Sequence, residues 1–125
     1  MKSFGLLLLL LLGFSLACDI IVHLKSETDT KFEGQITASN GNKSQRITFE
    51  KKKQRLTFHQ KPEECGLHNW SIQTWKDGKE VANVKVVLDG IGRVSYAVDD
   101  TLKPVQNDRH GAICKGECAP LAQRG

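Results

Sequence analysis

Apolar and polar residues alternate along most of this chain with a period of two, the pattern of strands that bury one face and expose the other. In residues 19–25 Ile20, Val22 and Leu24 fall on one side, and in residues 31–38 Phe32, Ile36 and Ala38 do the same. Ser39-Asn40-Gly41-Asn42 predicts a tight turn, because Asn and Gly accept the positive φ that such turns demand. Residues 44–50 return with Ile47 and Phe49 inward and Arg46, Thr48 and Glu50 outward, and a lysine-rich turn at 51–53 leads into residues 54–60, where Leu56 and Phe58 face in. A connection carrying Cys65 follows. Residues 70–76 set Trp70, Ile72 and Thr74 against Trp75, and Asp77-Gly78 predicts a second hairpin. The longest strand is predicted at 79–88, where Val81, Val84, Val86, Val87 and Leu88 suggest burial on both faces near its end. A turn at 89–92 then leads into a strand at 93–98.

About seven short strands with no helical period between them predict an all-β fold: a small antiparallel β-sandwich of immunoglobulin-like or prealbumin-like type, or a small barrel. The pattern does not separate these two. The Cys, Trp, Cys series of a true immunoglobulin inter-sheet bridge is absent. The stretch from Gly78 to Gly90, Gly-Lys-Glu-Val-Ala-Asn-Val-Lys-Val-Val-Leu-Asp-Gly, resembles a strand pair found in prealbumin-like and other secreted β-domains. That resemblance concerns fold alone and transfers no functional residue. The expected organisation is a β-domain at 18–98 and a cysteine-containing tail at 99–125 packed on it.

Residues 1–17 read as a cleaved leader. Lys2 supplies the positive end, residues 4–14 hold the leucine run from Leu6 to Leu12, and Ser15-Leu16-Ala17 puts small residues at the −3 and −1 positions of a cleavage site. The apolar run falls short of the roughly 20 residues that span a bilayer, and no other long apolar stretch follows, so no membrane span is expected. A buried helix is disfavoured because adjacent leucines leave no polar face. Lipidation of Cys18 in a bacterial lipoprotein is the other alternative, weakened by the unusual order of residues before it. Removing 17 of 125 residues leaves 108, the size of one domain, and the formal charge of +4 becomes +3 because one lysine and no acidic residue are lost. So mild an excess does not point to nucleic acid.

Export makes disulfides the default for Cys18, Cys65, Cys114 and Cys118. Alternating strand directions bring Cys18 and Cys65 to one end, and residues 99–113, reaching roughly 45–50 Å when extended, can carry Cys114 and Cys118 back to it. Bridges from Cys18 and Cys65 to the tail are the preferred pairing, since long closed loops restrict the unfolded chain most, by roughly 4 kcal/mol each. A local Cys114–Cys118 bridge is the rival. Cys65, His68, Cys114 and Cys118 would also make a tetrahedral zinc set, but structural zinc favours paired short spacings and reducing compartments. No cofactor or metal is expected.

Asn42-Lys43-Ser44 and Asn69-Trp70-Ser71 are glycosylation sequons. Arg46, Lys51, Lys52, Lys53 and Arg55, with His59 beyond, would form a basic patch at one hairpin tip, suited to sulfated glycans or anionic head groups. Lysines at such tips also serve simply to block edge association. Catalysis is not expected: Gly-x-Ser-x-Gly, His-Glu-x-x-His and Gly-rich phosphate loops are absent from the sequence, and His23, His59, His68 and His110 are scattered along it. The expectation is a secreted, non-enzymatic binding module for an extracellular protein or glycan. The alternative is a secreted protease inhibitor or host-defence effector that uses the Cys114–Cys118 tail.

Overall fold

A computed structural model describes residues 18–61 and 68–119; the leader, Cys65 and its connection, and the last six residues lie outside them. The described residues hold nine strands: β1 (Asp19–Ser26), β2 (Phe32–Thr37), β3 (Ile47–Phe49), β4 (Arg55–Gln60), β5 (Trp70–Lys76), β6 (Lys79–Asp89), β7 (Ile91–Val98), β8 (Pro104–His110) and β9 (Ile113–Lys115). They contain no helix, hence none long and apolar enough to cross a membrane. Two sheets pack face to face, one ordered β4-β1-β7-β8 and the other β3-β2-β5-β6-β9. The fold is thus a small β-sandwich. Every pairing is antiparallel except β1 with β7, which run parallel over their whole length.

Alternation builds the core. Ile20, Val22 and Leu24 of β1 and Val94, Tyr96 and Val98 of β7 are fully buried, as are Ile36, Trp70 and Ile72 on the facing sheet. Phe32 and Phe49 stack with ring centroids 4.7 Å apart, and Phe58 meets Trp70 edge-on at 6.5 Å. Pairs of this kind add about 0.5–1.5 kcal/mol beyond their burial. The hairpin at Asp77-Gly78 forms as the sequence predicts, with φ of 52° and 79° at its two turn residues.

Four expectations are corrected. The lysine-rich segment 51–53 does not close a hairpin: β3 belongs to the five-stranded sheet and β4 to the other, so the segment crosses between sheets. The return from the first turn is shorter than expected, because the buried Ser44 accepts the Ile36 N–H with its hydroxyl and interrupts regular pairing before Ile47. Near the end of β6 the burial stays one-sided, with Val84, Val86 and Leu88 inward and Val87 at 42% exposure. The tail is also more than a strap, because β8 completes one sheet and β9 the other, giving nine strands where about seven were expected.

The cysteines pair differently from the preferred reading. Cys114 bonds to Cys118, with Cα atoms 6.2 Å apart. Cys18 is disulfide-bonded as well, and Cys65, the one cysteine left in the sequence, lies outside the described residues. Cys18 and Cys114 do reach the same end of the domain, since Asp19 pairs with Ile91 and Cys114 with Leu88 on either side of the β6–β7 turn. The expected long-range bridges fail because β9 is held against β6 and the chain then turns back at Gly116, bringing Cys118 to Cys114 first. Loop entropy ranks what a bridge does to the unfolded chain, not which sulfurs the fold brings within reach. This pairing also removes two of the four ligands from the zinc set.

Two residues give direct tests. A Cβ at Gly92 would lie 2.1 Å from the His110 carbonyl oxygen and 2.3 Å from the Ala112 nitrogen, both backbone atoms that cannot swing aside. Because the clash is with backbone, Gly92→Ala is expected to cost about 3 kcal/mol, the upper end of ordinary overpacking, seen by circular dichroism as a Tm drop of roughly 12 °C or more; an unchanged Tm would refute the close approach. Burial pushes the phenol of Tyr96 up to about 12, against a hydrogen bond from Gln106 that pulls the other way. The stability this buried phenol supports is complete below pH 10 and lost as pH rises toward 12. Because Tyr96 is the only tyrosine, tyrosinate absorbance should stay absent at pH 10.5 and appear near pH 12 or together with unfolding.

Candidate anion-binding face

The outward face of the β4-β1-β7-β8 sheet takes the residues that alternate with the core. Register sets them in rows across the strands: Arg55, Lys25 and Ala97 in one, Thr57, His23 and Ser95 in the next, His59, Ile21 and Arg93 in the third. His23 therefore sits at the centre, with Lys25 two residues along its own strand and the two arginines at opposite diagonals. The surface dips over them in a shallow depression of about 280 Å³, lined by His23, Lys25, Arg55, Arg93, Ser95 and Asn107, with the buried Tyr96 beneath.

The carboxylates stand at the margins. Asp19 pairs with His59, Asp108 with His110 at 3.0 Å, and Glu27 with Lys25 at 3.5 Å. Arg55 and Arg93 have no carboxylate partner among the described residues. Such a cluster of like charge raises the free energy of the empty face and attracts an anion. Protection against edge pairing does not explain it, because β1 and β7, which carry Lys25, His23 and Arg93, are both interior strands.

His23 registers this field. Its Nδ1 lies 2.8 Å from the Thr57 hydroxyl, and its pKa is lowered first by burial and then by Arg55 and Arg93. A nucleophile–base pair wants a third group that stabilises the imidazolium, as a carboxylate does, whereas here the neighbours are cations that oppose it. The arrangement suits holding an anion better than moving a proton.

The basic patch expected from sequence is split. Arg46 lies on the far sheet, where it pairs with Glu33 at 2.8 Å and covers the Trp75 ring at 3.8 Å from its centroid. Lys51, Lys52 and Lys53 occupy the crossing between sheets, shaped by the Glu50 and Lys51 N–H groups donating to the Gln54 side-chain oxygen and the Lys53 N–H to the Ser26 carbonyl. Only Arg55 reaches the depression. Sequence reasoning missed Lys25, His23 and Arg93; their shared outward parity on predicted strands was the available signal. Three of the four scattered histidines, His23, His59 and His110, lie on this face, the last two on its opposite edge strands, while His68 is exposed elsewhere, its backbone N–H bonded to Ser39.

The sequon residues Asn42 and Asn69 are both exposed, near the end of the domain where Thr37 pairs with Ser71. The Cys114–Cys118 loop is held down: Gln106 bonds the Ala119 N–H at 2.7 Å, Arg109 the carbonyl oxygens of Ala112 and Ala119, and Lys103 pairs with Glu117. No known family model matches the chain, and no curated protein is similar to it in sequence.

The lowered pKa of His23 has a consequence for stability. Its folded-state value lies below the ordinary value of about 6.5, so the unfolded chain takes up this proton first, and stability present above that pH is lost as pH falls through the folded value. His23→Gln should flatten the fall in Tm between pH 7.5 and 5 relative to the parent protein in differential scanning fluorimetry. Parallel profiles would show that neither burial nor the two arginines lower the pKa of His23 in the folded state.

Proposed function

We propose that the chain is a secreted, non-enzymatic binding module that holds an anionic extracellular partner, protein or glycan, on the outward face of its four-stranded sheet. The observation that carries this reading is the convergence of Lys25, Arg55 and Arg93 around His23, with both arginines free of carboxylate partners among the described residues. Rigid sheets presenting side chains at fixed spacing are common recognition surfaces, and arginine is the cation suited to planar, bidentate capture of oxyanions. The leader at 1–17 and the oxidised cysteines support an extracellular address. Asn42 and Asn69, both exposed, are the proposed carbohydrate acceptors. The protease-inhibitor alternative has less behind it, because a loop of three residues between Cys114 and Cys118, tied back to Gln106 and Arg109, offers little extended backbone to a protease cleft.

The test compares two charge reversals on an immobilised polyanion, with folding checked by circular dichroism. Arg55→Glu combined with Arg93→Glu should elute at markedly lower salt than the parent. Reversal of Lys51, Lys52 and Lys53 to glutamate removes more positive charge and should shift elution less. If elution follows net charge alone, the face is not a binding site.

A further inference from the structure

We propose that the anion held by this face is a sulfated sugar chain, lying diagonally across the sheet from Arg55 over His23 to Arg93 with Lys25 at its flank. The inference rests on the binding-module reading and names its ligand. Arg55 stands opposite Lys25 and Arg93 opposite Ile21, four residues earlier on β1 and two strands away from β4. At about 3.3 Å per residue and about 4.8 Å between strands, their Cα atoms lie roughly 16 Å apart. Cations spread over that distance match a ligand that carries charge at intervals along its length.

The groups between the cations fit sugar better than peptide or lipid. Thr57, Ser95 and Asn107 offer hydroxyl and amide groups that can bond sugar hydroxyls. Both edges of β1 and of β7 are already paired, so the centre of the face has no free backbone donors for an added peptide strand. Its one aromatic lining residue, Tyr96, is fully buried with its side chain in the core, so the face offers no exposed aromatic anchor of the kind on which tight protein interfaces usually depend. An anionic membrane would want an apolar wedge beside the cations. The exposed apolar residues of this face do not join into one: Ile91 lies two residues from Arg93, whereas Val105 pairs with Ala97, six residues along β7 from Ile91 and roughly 20 Å away.

Proton coupling follows from the same geometry. The charged and titratable groups facing His23 are Lys25 and Asp19 on β1, Arg55 and His59 on β4, Arg93 on β7, and Asp108 and His110 on β8. Asp19 and Asp108 make their contacts with His59 and His110, and after burial it is the two diagonal neighbours of His23, Arg55 and Arg93, that disfavour the imidazolium. A bound sulfate reverses that field, and by reciprocity protonation of His23 tightens binding.

Isothermal titration calorimetry on the oxidised protein tests this with four probes: a heparin tetrasaccharide, inorganic sulfate, a glutamate peptide of matched charge, and phosphatidylserine vesicles. The tetrasaccharide should bind at least 10-fold more tightly than the peptide or inorganic sulfate. That affinity should fall at least 10-fold in Arg55→Gln/Arg93→Gln and rise several-fold from pH 7.5 to 5.5, with the rise lost in His23→Gln. Equal binding of inorganic sulfate would overturn the chain in favour of a point-anion site. Preference for peptide or vesicles, still dependent on Arg55 and Arg93, would overturn the sugar while leaving the binding face standing. Binding of none of the probes would remove both.

Discussion

The register of β1 is the constraint on which the rest of this structure depends. Because side chains alternate with a period of two, Ile20, Val22 and Leu24 can be fully buried only if Ile21, His23 and Lys25 point out. A slip of one residue would put a histidine and a lysine into a core of Trp70, Tyr96 and stacked phenylalanines, at a cost no local contact could offset. β1 is also interior, paired with β4 on one side and β7 on the other, so its register fixes where Arg55 and Arg93 stand relative to His23. The core and the cationic face are thus two sides of one decision.

Much of this was legible in the chain. The alternation in residues 19–25 marks both the buried triplet and its outward partners, and Asp77-Gly78 announces its hairpin by turn chemistry alone. What the pattern could not supply is partnership. Nothing local says that β1 runs parallel to β7 across some seventy residues of sequence, or that β3 and β4, separated by a few lysines, belong to different sheets. The basic patch was misassembled for that reason: Arg46 and Arg55 look like neighbours in sequence and lie on opposite sheets.

The tail was missed for a different physical reason. In β8 the inward positions are Pro104 and Gln106, so no apolar alternation betrays a strand. Gln106 replaces apolar burial with hydrogen bonds, donating to the Tyr96 hydroxyl and the Cys114 sulfur and accepting from the Ala119 N–H. A periodicity read from hydrophobicity does not see a strand held by its backbone pairing with β7 and by an inward amide instead of by inward apolar side chains. The same amide explains why the local bridge forms, since it fixes both ends of the segment that Cys114 and Cys118 close.

These features bind the two ends of the described chain to the candidate site. β1 opens the domain and β7 and β8 come near its close, so the cationic face exists only once the parallel β1–β7 pair has formed. The last turn of that closure is the least forgiving part of the backbone, where Gly92 of β7 passes His110 and Ala112 with no room for a Cβ. Arg93 follows immediately, and the close approach that admits only glycine at 92 also sets the strand pair from which Arg93 reaches toward His23. Steric exclusion at one residue therefore bears on the charge arrangement at the next, because the approach that fixes the β7–β8 pairing also fixes the strand that carries Arg93.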